Sequence, residues 1–157
     1  IDAPEMGKSK GGPEFFAREA TRYNKRLVLL KKVRLEFDEE RRDAYGRLLA
    51  YVFVKNIFVN GELVKLGYAR AMVKPPNTRY KEILLEYQKE AMARDAGLWQ
   101  EKKQDTERSY IGNKRTYVFH RPSCPYVAKM PAKSRIVFTN RTDPIKIGYT
   151  PCKRCKP

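Results

Sequence analysis

The chain has 157 residues, enough for one medium domain or two small ones, and 34 Lys and Arg against 18 Asp and Glu give a net charge of +16. No run of 18 or more apolar residues occurs, which excludes a transmembrane helix. The charge is uneven. Residues 1–108 hold 23 basic and 17 acidic side chains, a net +6, whereas residues 109–157 hold 11 basic side chains and one acidic residue, Asp143, a net +10. So concentrated an excess points to a polyanionic partner, nucleic acid above all.

In chain order, residues 1–12 read as loop, punctuated by Pro4, Gly7, Gly11 and Gly12. Pro13 suits a first helical turn, and Phe15, Phe16, Ala20, Tyr23, Leu27 and Leu30 recur at helical spacing, so a helix is predicted over 13–30. Val33, Leu35 and Phe37 alternate with charged residues and predict a half-buried strand. A charged loop over 39–43 leads to a strand over 48–54, a turn at Lys55-Asn56 and a short returning strand over 57–59. Asn60 stands where a helix N-cap belongs, with Leu63, Val64 and Leu66 behind it and Gly67 near the end. After a loop over 71–78, Thr78 is a candidate cap for a helix over about 79–96, and Gly97-Leu98-Trp99 closes this part. Residues 101–108 read as a linker. Strands are expected within 110–120 and 135–139, one helical turn over 143–147, and a Cys-bearing tail over 148–157.

Three pieces of the larger part carry chemistry. Asp2 and Glu5 are carboxylates three residues apart in a Pro-stiffened loop; Asp43-Ala44-Tyr45-Gly46-Arg47 sets an Arg at a strand entrance; Lys74-Pro75-Pro76-Asn77-Thr78 is a second stiff loop. Phosphodiester hydrolysis needs a water nucleophile and neutralisation of the phosphate. A hard carboxylate suits calcium, a second carboxylate can orient or deprotonate water, and an Arg can bond two phosphate oxygens. Singly these are ordinary surface residues. In order they are Asp2-Ala3-Pro4-Glu5, Gly12-Pro13-Glu14, Glu36-Phe37-Asp38, the run from Asp43 to Tyr51, Val59-Asn60, Leu66-Gly67-Tyr68-Ala69, Pro76-Asn77-Thr78 and Gly97-Leu98-Trp99. That series resembles the staphylococcal nuclease (thermonuclease) family over about 100 residues.

The resemblance implies an OB-fold β-barrel with packed helices and hydrolysis of DNA and RNA at the 5′ side of the phosphate. It implies Asp2 and the main-chain carbonyl of Ala3 as calcium ligands, Glu5 as general base or orienter of water, and Arg47 as the transition-state clamp. The family's further calcium-binding Asp and second catalytic Arg come from strands that precede Ile1, and its base-stacking tyrosines are replaced by Met72 and Val73. The barrel is therefore expected to be incomplete here, with an uncovered core face, and the natural protein to be longer. Little hydrolysis is expected of these residues alone. An open sheet edge leaves room for strand exchange into a homodimer.

In the smaller part, His120-x3-Cys124 and Cys152-x2-Cys155 are two pairs 27 residues apart that use the chain's one His and all three Cys. Paired short spacings favour a tetrahedral zinc site, and about 50 residues have little core of their own. The other arrangement left open is a Cys152–Cys155 disulfide, or free buried thiols, with His120 on the surface. His120-Arg121-Pro122-Ser123-Cys124 and the stretch from Gly148 to Pro157 resemble the metal-binding domain of the Ada phosphotriester repair protein. That resemblance implies structural zinc on His120, Cys124, Cys152 and Cys155. His120 stands where that family has its methyl-accepting Cys, so no phosphotriester repair is expected. Arg121, Arg135, Lys153, Arg154 and Lys156 are the candidate nucleic-acid-binding residues.

The expected whole is an α+β chain: an incomplete OB-fold barrel over 1–100, a linker over 101–108, and a small zinc-stabilised α/β domain over 109–157. The expected function is a calcium-dependent nuclease acting on DNA or RNA with a zinc-stabilised nucleic-acid-binding appendage. A non-catalytic nucleic-acid-binding protein on a degenerate nuclease scaffold is the alternative. Thermonucleases are commonly exported; the residues themselves do not fix a compartment.

Overall fold

The computed structural model describes residues 1–7, 12–101 and 104–157. The predicted loop positions 8–11 and linker positions 102–103 lie outside the described residues. The chain divides into two compact units, residues 1–71 with 75–101, and residues 72–74 with 102–157.

In the first unit, helix α1 (Ala17–Val28) turns Ala17 and Ala20 inward. It starts four residues later than the periodicity predicts. Glu14 donates its N–H to the Glu5 carbonyl at 2.9 Å and accepts the Glu5 N–H on its carboxylate at 2.9 Å, so residues 13–16 form a turn and Phe16, at φ 67, cannot be helical. Tyr23 of α1 stacks on Tyr68 at 4.5 Å and donates to Glu62 at 3.1 Å.

Strands β1 (Arg34–Glu36), β2 (Tyr51–Val54) and β3 (Ile57–Phe58) form an antiparallel meander in that order. Its period of two sorts the side chains. Leu35 and Val52 are paired in register and line a groove of about 570 Å³, with Pro4, Val28, Leu63 and Tyr68. Tyr51 and Phe53 meet Phe58 and Tyr80 in an aromatic cluster. Among the described residues the sheet is not closed into a barrel, and this groove opens beside it.

Helix α2 (Val59–Lys65) buries Val59, Gly61, Leu63 and Val64, and helix α3 (Lys81–Ala93) buries Leu84, Leu85, Gln88 and Ala91. Asn60 does not cap α2. Its carboxamide oxygen accepts the Val52 N–H at 2.8 Å and ties the helix to the sheet. Nor does the Thr78 side chain cap α3, which begins after Tyr80. The loop before α3 is held from the other side: Asn77 both accepts from and donates to the Glu40 main chain at 2.8 Å, and Asp38 accepts the Arg79 N–H at 2.9 Å and the Tyr51 hydroxyl at 3.0 Å.

The end of α2 and the end of α3 meet at two glycines. Gly67 (φ 73) and Gly97 (φ 58) sit so close that a Cβ on either would collide with the other segment's main chain, and the Leu98 N–H donates to Gly67 O at 2.8 Å. No L side chain fits there without strain.

The second unit has a four-stranded sheet in the order β6-β4-β5-β7, from β4 (Tyr110–Asn113), β5 (Val118–His120), β6 (Arg135–Phe138) and β7 (Thr150–Pro151). The predicted strand region 110–120 is a hairpin, broken at residues 114–117. Asn113 Oδ1 accepts the Arg115 N–H there at 2.9 Å. Short helices α4 (Pro125–Ala128) and α5 (Thr142–Lys146) flank the sheet. Tyr110, Phe119, Phe138, Ile145 and Tyr149 are buried. Val73 is buried as well and donates to Gly148 O at 3.1 Å.

Gly67→Ala is expected to destabilise the first unit by about 1–3 kcal/mol. A thermal melt superimposing on that of the unsubstituted chain would refute the close-packing account.

Candidate active site and candidate metal centre

The Asp2–Glu5 loop is fixed at both ends by main chain. Asp2 and Arg70 exchange two backbone hydrogen bonds, at 2.9 and 2.8 Å. Glu5 is held by its paired bonds to Glu14. Between them Pro4 is buried, while Ala3 and Glu5 are exposed and Asp2 is half-buried. The loop thus presents the Glu5 carboxylate to solvent from a stiff base.

Arg70 is a neighbour that composition does not reveal. Burial lowers the pKa of its guanidinium, opposed by the charges of Asp2, Glu14 and Glu101. The guanidinium lies 5.7 Å from the Trp99 ring centroid, and its Nε has no hydrogen-bond partner among the described residues. A half-buried Arg and a surface Arg look alike in sequence, so no signal marked it.

Arg47 stands on a separate turn that Asp43 organises. The Asp43 carboxylate accepts the N–H groups of Tyr45 (2.9 Å) and Arg47 (3.0 Å) through one oxygen and Arg47 Nε (2.6 Å) through the other. Its side chain is 6% exposed and that of Arg47 is 75% exposed. Burial pushes the Asp43 carboxyl up, but the Arg47 N–H, the guanidinium and the Tyr45 N–H outweigh it and hold the pKa below the ordinary value. With Nε tethered, the two terminal nitrogens of Arg47 remain for a ligand, the geometry of a two-pronged phosphate clamp. The Tyr45 ring lies beneath the guanidinium at 5.4 Å.

Asp2, Ala3 and Glu5 share one loop, and Arg47 stands on another. Among the described residues, neither Asp2 nor Glu5 belongs to a cluster of three or more convergent ligand side chains. The Asp2 carboxylate and the Ala3 carbonyl fit a hard cation in kind but are too few to hold one alone.

The second unit does assemble such a cluster. His120 ends β5, Cys124 precedes α4, Cys152 follows β7 and Cys155 lies in the tail; their ligand atoms all lie within 4.8 Å of one another. His120 Nδ1 faces Cys124 Sγ at 3.4 Å. The Arg121 N–H donates to Cys155 Sγ at 3.4 Å. All three cysteines are free thiols in this fold, and His120 is buried beside them rather than on the surface. Burial lowers the His120 pKa, favouring the neutral imidazole that binds metals. It pushes the Cys155 thiol up to about 12, so a divalent cation is the natural counter-charge for thiolates here. One nitrogen and three sulfurs at this spacing fit tetrahedral zinc.

The five candidate basic residues of this unit differ in their contacts. Arg121 donates to the carbonyls of Cys155 (3.0 Å) and Lys156 (3.3 Å), and to Thr106 and Glu107. Arg135 donates to the carbonyls of Met130 (2.7 Å) and Val127 (3.0 Å). Both brace their own unit. Lys153, Arg154 and Lys156 are exposed, with Arg154 lying 5.5 Å from the Tyr126 ring centroid.

Residues 1–101 match the family model of staphylococcal nuclease homologues, and residues 93–157 match that of the metal binding domain of Ada. The Thermonuclease of Staphylococcus intermedius is 36% identical over 100 residues, covering 64% of this chain and 60% of that protein. The Thermonuclease of Staphylococcus hyicus is 37% identical over 99 residues, covering 63% and 59%. The SPbeta prophage-derived endonuclease YokF of Bacillus subtilis (strain 168) is 40% identical over 114 residues, covering 71% and 38%. The chain therefore spans 38% to 60% of the length of these relatives.

Two outcomes are expected. The chain should carry one zinc, and Cys152→Ser should weaken zinc binding by more than about 100-fold, read by competition with a chromophoric chelator. The Asp43 carboxyl, whose folded pKa is depressed, should stabilise the Arg47 turn at neutral pH and lose that effect as pH falls through a value below 3.8, followed through the Arg47 Nε–H resonance.

Proposed function

The chain belongs to the staphylococcal nuclease family over residues 1–101, and from that premise we propose that it is part of a metal-dependent nuclease that hydrolyses phosphodiester bonds of DNA or RNA. Residues 1–100 are the catalytic part, 101–108 the linker, and 109–157 a zinc-stabilised appendage that holds nucleic acid near the catalytic loop. The observation that carries the reading is the Asp43–Arg47 tether, at 2.6 Å, which aims an exposed guanidinium outward while fixing its Nε.

The roles are those that the family resemblance implies for these residues. Glu5, exposed on a stiff loop, takes the proton of the attacking water or orients it. Arg47 bonds the phosphate through its terminal nitrogens and gains strength as charge builds on the equatorial oxygens. Asp2 and the Ala3 carbonyl would hold calcium, which when bound supplies Lewis-acid neutralisation of the phosphate. In the appendage, His120 occupies the place of the Ada nucleophile, and the zinc is structural rather than a methyl-transfer centre.

The second reading, a non-catalytic nucleic-acid-binding scaffold, draws on the lack of a convergent carboxylate cluster at Asp2 and Glu5 among the described residues. A nuclease assay on the natural protein containing these residues, with calcium or with a calcium chelator, separates the two. Glu5→Gln and Arg47→Ala should each lower kcat by about 100-fold or more, and Asp43→Asn by less, because it frees the clamp without removing it. Hydrolysis that is absent under all conditions, with binding unaffected by these substitutions, would favour the scaffold.

A further inference from the structure

The proposal above gives residues 109–157 a nucleic-acid partner without saying which part of it is gripped. Arg121 and Arg135 are engaged within their own unit. Lys153, Arg154 and Lys156 are exposed cations in and beside the Cys152–Cys155 knuckle.

A ring lies among them. Tyr126 is 49% exposed on α4, and the Arg154 guanidinium sits over it at 5.5 Å. The His120 ring meets it edge to face, with centroids 6.1 Å apart. Each partner is anchored by the ligand cluster: His120 is a ligand, Tyr126 follows Cys124 by two residues, and Arg154 directly precedes Cys155. One metal ion would thus set the ring and the guanidinium in fixed relation.

We propose that Tyr126 and Arg154 form a stacking platform for an unpaired base of single-stranded DNA or RNA, with Lys153 and Lys156 holding flanking phosphates. The inference rests on the nucleic-acid reading given above. Bases in a duplex are stacked on their neighbours and offer no free face, whereas single strands do. A flat ring backed by a planar cation accepts any base, so the platform selects strandedness rather than sequence. The bland alternative is a surface Tyr held by a cation–π contact, a common pairing with no ligand at all.

The two differ in what the ring contributes. Phosphate contacts weaken steeply with salt; stacking does not. The experiment is fluorescence anisotropy on the zinc-loaded 157-residue chain without added calcium, across a salt series. The probes are a labelled oligothymidylate and an abasic strand of equal length. Tyr126→Ala should weaken oligothymidylate binding by about tenfold, with the salt slope and abasic-strand affinity unchanged, and Tyr126→Phe should restore it. Tyr126→Leu keeps apolar bulk and serves if the Ala variant loses zinc; it should bind like Ala. Equal binding of the two strands, or unchanged oligothymidylate binding in both Tyr126→Ala and Tyr126→Leu, overturns the platform and leaves a backbone-only binder. Failure of both strands to bind at any salt overturns the nucleic-acid reading itself.

Discussion

The second unit depends on four ligand atoms being drawn within 4.8 Å of one another by three separate segments. A strand end supplies His120, a helix start supplies Cys124, and the tail supplies Cys152 and Cys155. Some fifty residues can bury only a small core, and the strands β5 and β7 are two or three residues long. The parallel pairing of β5 with β7 and the Cys152 N–H bond to Phe119 O at 2.9 Å bring the tail to His120. A metal cross-link there would turn a weak ladder into a closed knot.

The first unit solves a different problem. Its sheet has three short strands and an open groove, so closure cannot hold its loops. Side-chain oxygens take over that task. Asp43 fixes the Arg47 turn, Asp38 and Asn77 fix the loop before α3, and Asn60 ties α2 to β2. In each case a short Asx side chain satisfies main-chain N–H groups that no strand neighbour reaches. The stiffness of these loops thus comes from local carboxylates and carboxamides more than from sheet closure.

Much of this was legible beforehand. The His/Cys spacings pointed to the metal cluster, and alternation at Val33–Phe37 located β1 to within a residue at each end. The misreadings share one cause. Asn60 and Thr78 read as helix caps because their types favour caps, yet neither side chain caps a helix: Asn60 bonds to the sheet, and α3 begins after Tyr80. The helix expected from Pro13 starts at Ala17 because Glu14 is engaged by Glu5, nine residues earlier. Local propensity could not register a partner so distant in sequence.

Charge is where sequence says most and resolves least. A net +16 announces an anion, but it counts every cation equally. The fold does not. Arg70 is half-buried where its main chain pairs with Asp2, and Arg121 and Arg135 are bonded to main-chain carbonyls. Arg47 and Arg154 instead stand exposed, each over a tyrosine ring at 5.4 and 5.5 Å. A guanidinium tethered on one edge or face keeps its remaining donors in a defined direction and loses less freedom on binding than a waving side chain. An arginine held in one direction with donors to spare is the kind best suited to an anionic partner. Arg47 and Arg154 face a ring, whereas Arg121 and Arg135 spend most of their donors on carbonyls of their own unit.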